Sequence, residues 1–192
     1  MVMISNYKIF KFIAIVLGII VFSWLVYDFV LGYKKINKDY VKANDSFLKK
    51  NYIKALNLYE KVSKLEPENL YAIEGQARSL MRLKRFDESE KTFRSVLSID
   101  DSFVPALTNI AILYDTIGEY QKAVTYYKKA LKQDDRVAKR MSWFNRFLKN
   151  IQFKPTTIKE RLYYLEGQLS IENEKRILKK KNIDELQPDY QM

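Results

Sequence analysis

The sequence predicts an all-α protein in which one N-terminal transmembrane helix precedes an α-solenoid of stacked helix hairpins. Three observations support this prediction. A long apolar run lies near the N-terminus, and small and aromatic residues recur further on at a spacing of 34 residues. Residues that favour tight turns are scarce, with five Gly and four Pro in 192 residues, which is the profile of a helix-rich chain.

The composition excludes several common kinds of chemistry. The chain has no His and no Cys, so we expect no zinc or haem site of the usual kinds, no Cys or Ser/His nucleophile and no disulfide. The remaining carboxylates include Asp pairs at 100–101 and 134–135, which recur at predicted turns, where acidic side chains cap the following helix. We therefore predict no catalytic residue, no metal site and no cofactor, and hence no enzyme.

The apolar run begins as "FIAIVLGIIVFSWLVY" at Phe12 and continues to Tyr33. At ~1.5 Å per residue a helix over 12–33 is roughly 33 Å long, enough to cross a hydrocarbon core of about 30 Å. A cleaved signal peptide is the alternative, but no small-x-small cleavage site follows the run. We predict a single membrane span at 12–33 after a short tail at 1–11.

Two rules disagree about the orientation of this span. The short tail with Lys8 and Lys11 favours a C-terminal domain outside the cytoplasm. The count of nearby lysines favours a cytoplasmic domain, because four follow the run: Lys34, Lys35, Lys38 and Lys42. We expect the cytoplasmic orientation, with Lys34 and Lys35 at the lipid surface.

Three segments align at the 34-residue spacing without a gap. They are "NYIKALNLYEKVSKLEP", "RFDESEKTFRSVLSIDD" and "EYQKAVTYYKKALKQDD", which begin at Asn51, Arg85 and Glu119. Each has an aromatic residue, a small residue three positions later and a second aromatic four positions after that. In chain order these residues are Tyr52, Ala55 and Tyr59; Phe86, Ser89 and Phe93; and Tyr120, Ala123 and Tyr127. Small side chains allow two helices to approach closely, and the aromatics fill the adjoining space.

This period and pattern resemble the tetratricopeptide repeat (TPR) family, in its N-terminally membrane-anchored bacterial form. The resemblance implies pairs of antiparallel helices, and we expect repeats at 36–69, 70–103 and 104–137. Gly118 is expected at the turn between the helices of the third repeat, where positive φ is needed.

Residues 138–170 are expected to form a degenerate capping hairpin, and residues 171–192 a charged tail. The segments "RMSWFNRFLKNI" and "TIKERLYYLEGQL" each carry an apolar helical stripe that would cover the end of the solenoid. Contact between Trp143 and lipid headgroups is the alternative for the first segment. We expect the tail to be solvated.

The resemblance also implies a concave surface that binds a peptide or helix of another protein and is lined by the first helix of each repeat. The implied protein-binding residues are Tyr40, Asn44, Phe47, Tyr71, Glu74, Arg78, Met81, Thr108, Ile112 and Asp115. Ordinary solvated surface is the alternative for each. The carboxylate clamp known in this family is not expected, because only Asn44 agrees with it.

The expected function is a membrane-anchored protein–protein interaction scaffold, as a permanent accessory subunit of, or an assembly factor for, a larger membrane complex. Its partners would be other proteins and the lipid bilayer, with no small-molecule substrate. The net charge of +11 is spread among many acidic residues, so nucleic acid is not an expected partner. The alternative is a peripheral adaptor that binds peptide or lipid at the membrane surface without a stable complex. The resemblance implies a bacterial inner membrane.

Overall fold

All regular secondary structure among the described residues is helical, which confirms the predicted all-α class. The computed structural model describes residues 3–31, 37–140, 142, 147 and 156–179. The α-helices in these ranges are α1 (Met3–Leu31), α2 (Lys38–Leu48), α3 (Tyr52–Leu65), α4 (Leu70–Arg82), α5 (Phe86–Ile99), α6 (Val104–Ile117), α7 (Tyr120–Gln133) and α8 (Ile158–Leu169). Short 3-10 helices lie at Asp135–Ala138 and Asn173–Lys175.

The chain divides into two units, residues 1–38 and 39–192. The first unit contains α1, which begins at Met3 and so includes most of the residues expected to form an N-terminal tail. Its segment Tyr7–Tyr27 has a mean hydropathy of 2.6, and its residues are exposed. Its length and composition suit a membrane span, although a signal sequence near the N-terminus has the same properties.

The second unit is built from helix hairpins whose two helices meet at the small residues of the 34-residue pattern. The side chains of Ala55, Ser89 and Ala123 are fully buried. The second aromatics, Tyr59 and Phe93 among them, are fully buried as well. Ser89 replaces Ala without leaving a polar atom unsatisfied, because its hydroxyl donates to the carbonyl of Ala77 at 2.8 Å.

Each hairpin turns through one residue in the left-handed conformation. These residues are Lys50 (φ 60°), Lys84 (φ 62°) and Gly118 (φ 91°), again 34 positions apart. The residue that follows each of them donates its N–H to the carbonyl five positions earlier, as Arg85 does to Leu80 at 2.9 Å. The turn expected at Gly118 is therefore confirmed, and two lysines adopt the same backbone conformation without the freedom of glycine.

The buried side chains form two cores of unequal size. The first repeat has a small core of Ala43, Phe47, Ala55 and Tyr59. The larger core runs through the second and third repeats and reaches α8 through Ile158, Leu162 and Leu165. Helix α8 packs on α7 and so covers the C-terminal end of the third repeat. The other expected capping helix lies mainly outside the described residues.

Helix α8 begins with a capping box. The hydroxyl of Thr157 accepts from the N–H of Glu160 at 3.1 Å, and the carboxylate of Glu160 accepts from the N–H of Thr157 at 2.9 Å. The hydrogen bond from the Thr157 backbone is the largest cause that holds the pKa of Glu160 below its ordinary value. This reciprocal cap defines where α8 starts.

Gly75 provides a test of close helix packing. A Cβ added to Gly75 in α4 would lie 2.5 Å from Cε1 and Cζ of Tyr59 in α3. We expect Gly75→Ala to lower the free energy of unfolding by about 2 kcal/mol, because the buried ring cannot move aside. The matched control is Gly167→Ala in α8, where nothing lies within 4 Å of the added Cβ. Urea denaturation of the detergent-solubilised chain, followed by circular dichroism, measures both; equal losses would contradict the close approach.

The left-handed turns provide a second test. We expect Lys84→Gly to raise the free energy of unfolding by about 0.5–1 kcal/mol, because glycine adopts positive φ without the Cβ clash. Gly118→Lys should change stability in the opposite direction by a similar amount. Thermal unfolding measures both variants, and a loss of stability in Lys84→Gly would show that the turn carries no strain at this residue.

Candidate functional site

The ten predicted protein-binding residues lie on α2, α4 and α6, the first helix of each hairpin, and we call them the groove set. They differ widely in exposure. Tyr71 is 48% exposed, while Tyr40 and Asn44 are half-buried. The other seven are buried: Phe47, Glu74, Arg78, Met81, Thr108, Ile112 and Asp115. The set therefore combines a few accessible side chains with a buried floor.

A buried polar cluster joins the first helices of the three repeats. Glu74 Oε2 accepts from Nε of Arg78 at 2.9 Å, and Glu74 Oε1 accepts from Nδ2 of Asn109 in α6 at 2.7 Å. The guanidinium carbon of Arg78 lies 4.6 Å from the ring centroid of Phe47 in α2. Buried charges are tolerated only when they are paired and hydrogen-bonded, so this cluster holds α2, α4 and α6 in one register.

A second group of contacts lies in the first repeat. The Tyr59 hydroxyl donates to Oδ1 of Asn44, and the ring of Tyr40 meets the ring of Tyr59 edge-on at a centroid distance of 6.0 Å. Burial is the largest cause that raises the pKa of both Tyr40 and Tyr59. Both hydroxyls therefore stay protonated at neutral pH and can donate hydrogen bonds.

The third repeat is tied to α8 by a buried ion pair. Arg161 donates from Nε to Oδ2 of Asp115 and from Nη2 to Oδ1, both at 2.7 Å. The hydroxyl of Tyr127 also donates to Asp115 Oδ2, at 3.2 Å. Two parallel bonds from one guanidinium fix the geometry of this pair as well as its strength.

Arg161 and Asn109 are not among the site residues predicted from the sequence. Arg161 lies outside the 34-residue alignment, although it shares a helix face with the apolar Ile158 and Leu165. A charged residue on an apolar stripe signals a buried partner, and that signal could have identified Arg161. Asn109 carries a similar signal, since it lies among the apolar Leu107, Ile110 and Ala111, but only the packing of α4 beside α6 brings it to Glu74.

Tyr71 is the exposed large apolar side chain of the groove set. Its ring meets the ring of Phe103 edge-on, with a centroid distance of 5.0 Å. Phe103 directly precedes α6, so the contact joins the start of α4 to the residue that leads into α6. An exposed aromatic side chain held in place by a neighbour presents contact area at little cost in conformational entropy.

The burial of the seven side chains differs from both sequence-based expectations, a ligand-facing groove and ordinary solvated surface. Glu74, Arg78 and Asp115 are buried because they bond to other side chains, and Met81 and Ile112 because they belong to the larger core. Their role in binding stays a prediction. Lys34, Lys35 and Trp143, predicted to contact the membrane surface, lie outside the described residues.

The arrangement offers hydrogen bonding and apolar contact. Among the described residues, no group of three acidic side chains is close enough to hold a metal ion. Thr108 Oγ1 is buried and has no hydrogen-bond partner in the part of the chain that the structure describes.

The sequence and the fold both match known repeat proteins. The model of the family described as "Psidin, N-terminal TPR repeats region" matches residues 44–165, which is more than half of the chain. No curated protein matches the sequence.

Several solved TPR domains share the fold. The first TPR of Spaghetti (RPAP3), bound to an HSP90 peptide, has a TM-score of 0.55 and 16% identity and covers 69% of this chain and 91% of its own. The Sgt2 TPR domain from Aspergillus fumigatus has a TM-score of 0.54 and 14% identity, with coverage of 69% and 77%. The TPR2B domain of yeast Sti1, in complex with pHsp70, has a TM-score of 0.53 and 22% identity, with coverage of 69% and 95%. Identities this low show the fold alone.

The Asp115–Arg161 pair provides a test of how α8 is held. We expect Asp115→Leu to lower the free energy of unfolding by about 3 kcal/mol, because it leaves the Arg161 guanidinium buried without its carboxylate. The double variant Asp115→Leu/Arg161→Met should recover part of that loss, since it buries no unpaired charge. Urea denaturation measures both, and a double variant less stable than the single one would contradict this account.

Proposed function

The chain belongs to the family of the Psidin N-terminal TPR repeats region, and from that premise we propose that it is a membrane-anchored protein–protein interaction scaffold. TPR domains generally mediate contacts between proteins and are typically not enzymes. Two of the similar domains are bound to partners, an HSP90 peptide and pHsp70. We propose that this chain likewise binds a segment of another protein and catalyses no reaction.

The observation that carries the binding proposal is the exposed ring of Tyr71. It is held against Phe103 and stands beside the buried floor of the groove set. Interface energy concentrates in a few residues, often tyrosines, that are surrounded by well-packed neighbours. We propose that a partner packs on Tyr71 and also contacts Tyr40 and Asn44, the other accessible members of the set.

The apolar surface of α1 supports the membrane part of the proposal. The side chains from Tyr7 to Tyr27 are exposed, and their contact with water is unfavourable by about 25 cal/mol per Å². A bilayer removes this cost, so we propose that the helix crosses a membrane through residues 12–33 and is retained. We further propose a bacterial inner membrane, a cytoplasmic repeat domain, and headgroup contacts at Lys34, Lys35 and Trp143.

Two roles fit such a scaffold. As a permanent accessory subunit it would hold one membrane protein in a fixed ratio, whereas as an assembly factor it would bind clients transiently. The peripheral adaptor that binds peptide or lipid without a stable complex remains the alternative. The amount and the stability of the bound partner distinguish these roles.

Extraction from the native membrane tests the proposal. We expect the full chain, extracted in mild detergent, to migrate on a native gel with at least one other protein, which mass spectrometry identifies. A fixed stoichiometric ratio would indicate an accessory subunit, and a small bound fraction an assembly factor. Migration of the chain alone, together with binding to lipid vesicles, would favour the peripheral adaptor and overturn the scaffold.

A pair of matched variants tests the role of Tyr71. We expect Tyr71→Ala to reduce partner recovery about tenfold, because truncation of an interface anchor costs more than about 1.4 kcal/mol. Tyr163→Ala is the control, since Tyr163 is 59% exposed on α8 and outside the groove set. Equal recovery with both variants would show that the partner does not bind at Tyr71.

A further inference from the structure

We propose that residues 170–179, which we call the strap, occupy a peptide-binding cleft of their own chain beside α8, and that an extended partner segment carrying a leucine-sized side chain replaces them there. The inference deepens the proposed function, on which it rests. It assigns a place and a chemical class to the bound segment.

The strap reverses the direction of the chain after α8. A single 3-10 turn at Asn173–Lys175 follows the helix, and Arg176 then adopts an extended conformation with φ −74° and ψ 130°. The guanidinium of Arg176 donates to the carbonyls of Ile171 and Leu169, both at 2.9 Å. These bonds brace the turn and direct the residues after it back along α8.

Side chains of α8 bond mainly to backbone atoms of the strap. The N–H of Ile177 donates to Oε1 of Gln168 at 2.7 Å, and the carbonyl of Ile177 accepts from the hydroxyl of Tyr164. The carbonyl of Leu178 accepts from Nη2 of Arg161 at 3.0 Å. Bonds to backbone atoms would form with any extended segment, whatever its side chains.

One position of the bound segment decides which side chain the cleft accepts. The side chain of Leu178 packs against the larger core, whereas that of Ile177 points outward and is 61% exposed. Successive side chains on opposite sides are the pattern of an extended peptide that is recognised through alternate residues. The cleft therefore selects an apolar side chain of leucine size.

The cleft is fixed in place before any segment binds. Arg161 is only 5% exposed and is already oriented by its two bonds to Asp115, so it loses little freedom when it binds a carbonyl. Asp115 is a member of the groove set, so the cleft adjoins the predicted binding surface. A partner segment in the cleft would contact the third repeat and α8 together.

The strap is suited to displacement. Its extended residues Ile177 and Leu178 contact α8 through three hydrogen bonds and one partly buried apolar side chain, and most other residues of the strap are exposed. An external segment of the same chemistry can form the same contacts. Its apparent affinity is then the intrinsic affinity multiplied by the fraction of chains in which the strap is open.

The test uses the full chain in mild detergent and a fluorescent peptide, ENEKRILK, with the sequence of residues 172–179. We expect Leu178→Ser, which loosens the strap, to raise the affinity for this peptide at least about tenfold above that of the unmodified chain. Ile177→Ser is the matched control and should leave the affinity unchanged, because that side chain is outside the cleft. Fluorescence anisotropy measures the binding, and circular dichroism confirms that each variant is folded.

A second measurement keeps the test decisive if Leu178→Ser fails to fold. Arg176→Gln removes the two bonds that brace the turn and changes no residue of α8. We expect it to raise the affinity for the peptide at least about tenfold above that of the unmodified chain, because the strap opens more often. Equal affinity in Arg176→Gln and the unmodified chain, or no binding to any variant, would overturn the cleft.

The two proposals fail separately. A native complex that forms while the peptide does not bind would overturn the cleft and leave the scaffold supported. Peptide binding at the cleft without any native complex would support the cleft and contradict the scaffold. A peptide in which serine replaces the leucine should not bind, and its binding with unchanged affinity would contradict selection by the leucine position.

Discussion

The solenoid depends on the close approach of two helices at one small side chain in each hairpin. Ala55, Ser89 and Ala123 fill this position in the three repeats, and all are fully buried. A larger side chain there would separate the helices and leave the buried aromatics, such as Tyr59 and Phe93, without their neighbours. Successive hairpins also pack closely, because a Cβ at residue 75 in α4 would clash with Tyr59 in α3. Each repeat contacts only its neighbours, and the contact at the small residue recurs in each hairpin of the solenoid.

The polar cluster of Glu74, Arg78 and Asn109 gives the repeated units a specific register. Apolar packing alone would tolerate small slides between the first helices, whereas a buried carboxylate with two donors accepts few positions. Under the proposed function, a partner would meet a buried, mostly hydrogen-bonded floor with Tyr71 exposed beside it, and binding energy would concentrate at that ring.

One residue makes two kinds of contact at the C-terminal end of the repeats. Arg161 pairs with Asp115 to hold α8 on the third repeat, and it also donates to the backbone of the strap. A group that is needed for packing is already ordered, so its use in recognition adds little entropic cost. The described part of the tail runs back along α8, and most of its residues are exposed. Arg161 therefore takes part both in the packing of α8 on the third repeat and in the proposed cleft.

The sequence by itself determined the helices, the 34-residue spacing, the buried small and aromatic residues and the left-handed turn at Gly118. These features depend on local periodicity and on the conformational preferences of single residues, and both can be read directly from the sequence. Only the tertiary structure decided which groove-set side chains are buried, that Asn109 and Arg161 complete two polar sites, and where the strap lies. Those outcomes depend on contacts between residues far apart in the chain, such as Asp115 with Arg161, and no local pattern specifies which partner a buried charge will find.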